Sequence, residues 1–218
     1  MTATRRAPPS IRTLRERARD CRACDLWKPA TQTVFGEGPE NASLMLLGEE
    51  PGDAEDRQGH PFVGPAGQLL KRALQEAGID PEKVYLTNVV KHFKFVARGK
   101  RRLHQRANAA EQAACRQWLD AEILRIRPRL LVCLGATAAN AMLGASFRLL
   151  RQRGRWLEQA SGMRIMATVH PSYVLRVTPP ERARVYAEFV ADLRGVGAAL
   201  AALQTATKPA ARAANRTK

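Results

Sequence analysis

The chain has 218 residues, 45% of them apolar, and a formal net charge of +16. That is enough chain for one substantial core, and its charge favours a polyanionic partner, because Lys and Arg displace condensed counterions from phosphate. No apolar run approaches the roughly 20 residues of a membrane span, and the opening MTATRRAPPS lacks the apolar centre of a secretory signal. The expectation is a cytoplasmic protein that binds nucleic acid and no membrane, whose four cysteines serve as metal or cluster ligands or as buried thiols rather than disulfides.

Residues 1–9 read as a disordered lead, residues 10–203 as a single domain and residues 204–218 as a flexible basic tail. Within the domain, short apolar runs at 43–48 (SLMLLG), 83–90 (KVYLTNVV), 129–135 (RLLVCLG) and 164–170 (RIMATVH) alternate with helical patterns. Runs that are apolar on both faces suit buried parallel strands. One helix starts near Pro65, with Leu69, Leu70, Ala73, Leu74 and Ala77 on one face, and stops at Gly78. Another starts at Asn108 with Glu111 three residues on, a capping-box pattern, and aligns Cys115, Leu119, Ile123 and Ile126. A third opens at Ala136 and a fourth runs from about Pro180 to Leu203. This alternation predicts an α/β fold: a three-layer α/β/α domain with a central, mostly parallel four-stranded sheet.

Ligands in such folds bind beyond the carboxyl ends of the strands. The residues there are Glu49, Glu50 and Gly52 after the first strand, and Asn88, Lys91 and His92 at the end of the second. Gly135 follows the third, and His170-Pro171-Ser172 the fourth. Acid, amide, imidazole and hydroxyl thus converge on one edge, as a catalytic site requires. Glu49 is placed to act as a base or to stabilise a cation; alternatively it caps the next turn. Phe62 sits in a Gly/Pro-rich loop, where it either packs on the core or stacks on a planar base. The stretch 91–106, KHFKFVARGKRRLHQR, holds seven Lys or Arg, two His and no acid. By itself it reads as a basic DNA-binding loop with His104 at its surface. Cys21 and Cys24 form a Cys-x-x-Cys pair. Cys115 lies on a helix's apolar face, and Cys133, inside a strand, reads as a buried thiol.

GEEPGDAEDRQGHPFVGPAG (48–67), LTNVVKH and HPSYVLR together resemble the motifs of family 4 uracil-DNA glycosylases. KHFKF followed by KRRLH is similar to the hallmark of the UdgX branch of that superfamily. The resemblance covers roughly residues 12–195. It implies an enzyme that flips deoxyuridine out of the DNA stack and reads it in a pocket, accepting single-stranded DNA and working as a monomer. Phe62 would stack on the uracil and Asn88 would hydrogen-bond its edge. Backbone amides near Glu50 and Gly52 would assist, Glu55 would crowd the 5-methyl of thymine, and His170 would donate towards O2. Lys91, Lys100, Arg101, Arg102, Ser172 and Arg176 would contact the DNA backbone. His104 would attack C1′ and leave a stable covalent bond, with Glu49 stabilising the sugar cation and orienting the imidazole or taking up its proton. A [4Fe-4S] cluster, or alternatively zinc, would be held by Cys21, Cys24, His92 and Cys115. One departure stands out: UdgX proteins usually carry Gln after the first Glu of GEEPG, where this chain has Glu50. The competing readings are a conventional glycosylase that releases a free abasic product and a non-catalytic DNA-binding module.

Overall fold

The computed structural model describes residues 7–207. Four apolar runs become strands of five residues each: β1 (Leu44–Gly48), β2 (Val84–Asn88), β5 (Leu130–Leu134) and β7 (Arg164–Thr168). They pair in parallel in the order β2-β1-β5-β7, with Leu44 opposite both Val84 and Leu130, and Leu130 opposite Arg164. Successive side chains point to opposite faces, so each strand feeds two cores. Met45, Leu47, Leu131, Cys133, Ile165 and Ala167 pack under α1 (Ile11–Ala18), α4 (Ala109–Ile126) and α5 (Ala136–Leu143). Leu44, Leu46, Val132, Leu134 and Met166 pack under α3 (Pro65–Glu76) and α8 (Glu181–Thr207). The three-layer α/β/α architecture is therefore the one expected.

The sheet has five strands rather than four. The fifth, β6 (Leu157–Glu158), pairs antiparallel with β7 at the edge. Two exposed residues carry no burial pattern, so this strand leaves no periodic signal in the sequence. The basic stretch is a β-hairpin, β3 (Phe95–Arg98) and β4 (Arg101–His104), turning at Gly99-Lys100 with Gly99 at φ 57°. A two-residue connection opening on a positive-φ glycine suits the twist of paired strands.

The Asn108–Glu111 capping box forms as predicted: Glu111 N–H donates to Asn108 Oδ1 at 2.9 Å, and Asn108 N–H donates to Glu111 Oε2 at 2.6 Å. On the buried face of α4, however, Glu122 lies among Cys115, Leu119 and Ile126, while Ile123 is only partly covered. Two short helices, α2 (Asp53–Gln58) and α7 (Pro171–Arg176), follow the ends of β1 and β7, and α6 (Leu149–Gln152) flanks the same edge. The last helix continues to Thr207, past Leu203, into the region expected to be tail. Residues 1–6 of the expected lead and 208–218 of the tail lie outside the described residues. Among the described residues no helix is long and apolar enough to cross a membrane.

Candidate active site

The carboxyl ends of β1, β2, β5 and β7 surround a cavity of about 660 Å³. Glu49, Glu50, Gly52, Glu55, Phe62, Asn88, His104, His170, Ser172 and Arg176 all line it. Two glycines make the convergence possible. Gly48 pairs with Asn88 in register, and a Cβ there would overlap the Asn88 amide and the Phe62 ring. Gly67 lies so close to the Phe62 carbonyl that any side chain would overlap it. Phe62 itself holds φ 57°, a left-handed conformation uncommon outside glycine and sustained only by surroundings that enforce it. Its ring lies 6.3 Å from that of His170, with the planes 28° apart.

Glu55 braces this loop: Oε1 accepts from Gly64 N–H at 2.8 Å and Oε2 from Gly52 N–H at 3.1 Å. The Gly52 amide, expected to help bind a base, is thus engaged by Glu55. Glu49 Oε1 is buried with no hydrogen-bond partner among the described residues, and Arg106 Nε stands 3.5 Å away without hydrogen-bond alignment. An under-partnered carboxylate beside a cavity is suited to stabilising a cation formed there.

His170 caps α7. Its Nδ1 accepts from Ser172 N–H at 3.1 Å and lies 2.7 Å from Ser172 Oγ. Burial, with further lowering by Arg176 and His104, pushes its pKa down to about 4, so the ring is neutral at ordinary pH. With Nδ1 accepting, the ring proton belongs on Nε2, leaving one N–H donor available. Arg176 Nη1 reaches Ser172 Oγ at 3.1 Å.

His104, at the end of β4, pairs opposite Phe95. Its Nε2 lies 3.2 Å from Glu50 Oε1, and partial burial with Arg176 nearby lowers its pKa, against the pull of Glu49. Two expected DNA contacts have other roles. Lys91 is 1% exposed, and its Nζ meets Glu122 Oε2 and Thr87 Oγ1 at 2.6 Å and Asn88 O at 2.7 Å, so it cannot reach phosphate. Arg102 clamps the hairpin inward: it pairs with Asp53 and with Asp56 Oδ2 (2.6 Å) and lies over the Phe93 and Phe95 rings. Lys100 and Arg101 remain exposed at the hairpin turn. The sequence pattern does not single out Asp53, Asp56, Arg106 or Glu122. An Asp pair at i, i+3 on α2 is the one local sign that a cation is held there.

Cys21, Cys24 and Cys115 share one neighbourhood. Burial pushes the Cys115 thiol up to about 11 against Lys91, and the nearby Cys24 and Cys21 add to the rise. Trp118 Nε1 donates to Cys21 Sγ and Lys91 N–H to Cys115 Sγ, each at 3.2 Å. His92 Nε2 is bonded to Thr33 Oγ1 at 2.9 Å. Among the described residues, no three His, Cys, Asp or Glu side chains are already set at ligating geometry. The donor chemistry of three thiols and an imidazole nonetheless suits an iron–sulfur cluster or zinc, provided that His92 releases Thr33 or offers Nδ1. Cys133 is wholly buried in β5.

A parallel α/β sheet that gathers an aromatic ring, an amide, a carboxylate and a neutral imidazole at its strand ends is built to hold a planar polar ligand. The family model of the uracil DNA glycosylase superfamily matches residues 35–194, and the chain belongs to that superfamily. It is 38% identical over 174 residues to a type-4 uracil-DNA glycosylase of Thermotoga maritima, covering 79% of this chain and 87% of that protein. It is 34% identical over 185 residues to a type-4 uracil-DNA glycosylase of Archaeoglobus fulgidus, covering 81% and 86%. A type-5 uracil-DNA glycosylase of Pyrobaculum aerophilum is 29% identical over 182 residues, covering 75% and 76%.

Proposed function

We propose that the protein excises uracil from DNA and then captures the resulting sugar covalently on His104. Membership of the superfamily and the names of its relatives support the first step. The single observation that carries the second is that His104 lines the same cavity as Phe62, Asn88 and His170. A flipped uracil would stack on Phe62 and bond the Asn88 amide, which offers both donor and acceptor. The C1′–N1 bond breaks with its electron pair leaving on the base, and the His170 Nε2–H donates to the developing oxyanion. Glu49 faces the sugar cation. A neutral imidazole nitrogen of His104 then forms a bond to C1′.

Incubation with labelled uracil-containing single-stranded DNA, followed by a denaturing gel, tests this. A retarded band that survives SDS and heat is expected. Free uracil without that band would establish the second reading, a conventional glycosylase, which the type-4 names of the relatives favour. Neither product would overturn both.

His170→Ala is expected to slow uracil release about 10²- to 10³-fold, the usual cost of losing one oxyanion donor. Because burial keeps His170 neutral down to about pH 4, wild-type release should show no limb near the ordinary histidine pKa from this residue. Rapid-quench release assays from about pH 5 to about pH 8 would check both statements.

Cys21, Cys24, Cys115 and His92 are proposed to hold a [4Fe-4S] cluster, which would supply a structural cross-link between the N-terminal segment and the sheet. A colourless protein containing stoichiometric zinc would favour the alternative metal.

A further inference from the structure

We propose that Glu50 is the positioning residue that governs, through a shared proton, whether His104 can capture the sugar; this rests on the capture reading above. The two glutamates at the end of β1 have different fates. Glu49 has an oxygen at the cavity with no hydrogen-bond partner among the described residues, whereas the Glu50 side chain is fully buried beneath the hairpin. Glu50 touches both feet of that hairpin. Oε1 accepts from Lys94 N–H at 3.4 Å, just before β3, and Oε2 accepts from Ala107 N–H at 2.9 Å, just after β4. Oε1 also faces His104 Nε2 at 3.2 Å.

Among the described residues no Lys or Arg is ion-paired with Glu50. The Lys94 ammonium is bonded to Glu111 Oε2 at 2.8 Å, Arg106 lies beside Glu49, and Arg176 faces His104. Burial pushes the Glu50 carboxyl up to about 8; the Ala107 amide opposes the rise and the Glu49 charge adds to it, while Lys94 opposes through its amide and its charge. Near neutral pH the carboxyl and the imidazole therefore share one proton.

The two protonation states differ chemically. When Glu50 is protonated, its O–H donates to His104 Nε2 and the ring proton sits on Nδ1, so neither nitrogen has a free lone pair. When Glu50 is a carboxylate, it accepts Nε2–H across the observed 3.2 Å contact, and the Nδ1 lone pair is left unprotonated. Capture then balances. The C1′–N1 electron pair leaves on uracil, Nδ1 bonds to C1′, and the imidazolium passes its Nε2 proton to Glu50 Oε1. The proton thus moves from a cation to a carboxyl whose neutral form burial favours. The product is a neutral N-alkylimidazole, which could depart only as imidazolate, a poor leaving group. Proton transfer to Glu50 thus makes the bond persistent.

The test measures released uracil and SDS-resistant adduct in the same quenched samples, for wild type and Glu50→Gln, from about pH 6 to about pH 9. In wild type the ratio of adduct to uracil should rise about tenfold between about pH 6 and pH 8 and then level off. In Glu50→Gln, which keeps the volume but not the titration, the ratio should be flat. A flat wild-type ratio, or an unchanged limb in the variant, would overturn the role of Glu50. The wild-type profile decides even where the variant does not fold. Uracil release with no adduct at any pH would overturn the capture reading and this inference with it, whereas a constant non-zero ratio removes only Glu50.

Discussion

His104→Ala is expected to abolish the SDS-resistant band completely, so that whatever uracil the variant releases leaves a free abasic strand. The expectation is strong because the hairpin that carries the imidazole is held by interactions the imidazole does not make. Arg102 fixes the hairpin through Asp53 and Asp56, and Asp56 is in turn bonded by Thr31 N–H at 2.9 and 3.1 Å. The Arg102 guanidinium lies 4.9 Å from the Phe95 ring centre and 5.4 Å from that of Phe93, a cation–π arrangement in a partly dry setting. Removing the half-exposed His104 ring leaves all of this intact, so the hairpin should keep its place and the loss should be chemical. Matching thermal melts for the two proteins would establish that point. A band of undiminished intensity in His104→Ala would transfer the nucleophile to another residue.

How much of the fold and site is legible in the sequence depends on what each residue does. Short runs apolar on both faces, alternating with helical patterns, suit buried parallel strands, so the parallel sheet and the edge where polar groups gather followed from pattern. The meeting of Asn88 and His170 at one cavity follows from that edge, because each stands at or just after a strand end, whereas Phe62 reaches it from the loop between α2 and α3. Less legible were residues whose partners are distant in sequence. Arg102 reads as one cation among seven until Asp53 and Asp56, some fifty residues away, prove to face it. The hairpin was obscured for a related reason: its cross-strand apolar pair, Val96 and Leu103, is exposed and set among charges. Glu122 interrupts an otherwise apolar helix stripe, and Lys91 follows an apolar strand. Each looks like a surface residue alone, and only the fold brings the two together.

That pairing gives the largest expected stability effect. Lys91→Met is expected to destabilise the protein by about 3–5 kcal/mol, a large part of the stability of a typical domain. Glu122 is 0% exposed and sits at the centre of a saturated network. Oε1 accepts from Gly36 N–H and Tyr85 Oη, each at 3.0 Å; Oε2 meets Thr87 Oγ1 at 2.9 Å and Lys91 Nζ at 2.6 Å. Burial and the adjacent Glu122 drive the Tyr85 hydroxyl far above the usual phenol range, so it remains a donor. Deleting the ammonium strands a carboxylate in the core, which is worse than having neither charge. Lys91→Met combined with Glu122→Leu should therefore recover part of the loss, a non-additivity that a double-mutant cycle in urea would measure. A single-variant cost below about 1 kcal/mol would sink the argument. The consequence reaches the cavity, because Lys91 Nζ also holds the Asn88 carbonyl at 2.7 Å. Asn88 is the residue proposed to read the base, so Lys91→Met should raise the DNA concentration that half-saturates single-turnover uracil release more than it lowers the maximal release rate, at temperatures where the variant remains folded. Lys91 would then serve DNA recognition by holding Asn88 at the strand end, with no phosphate contact of its own.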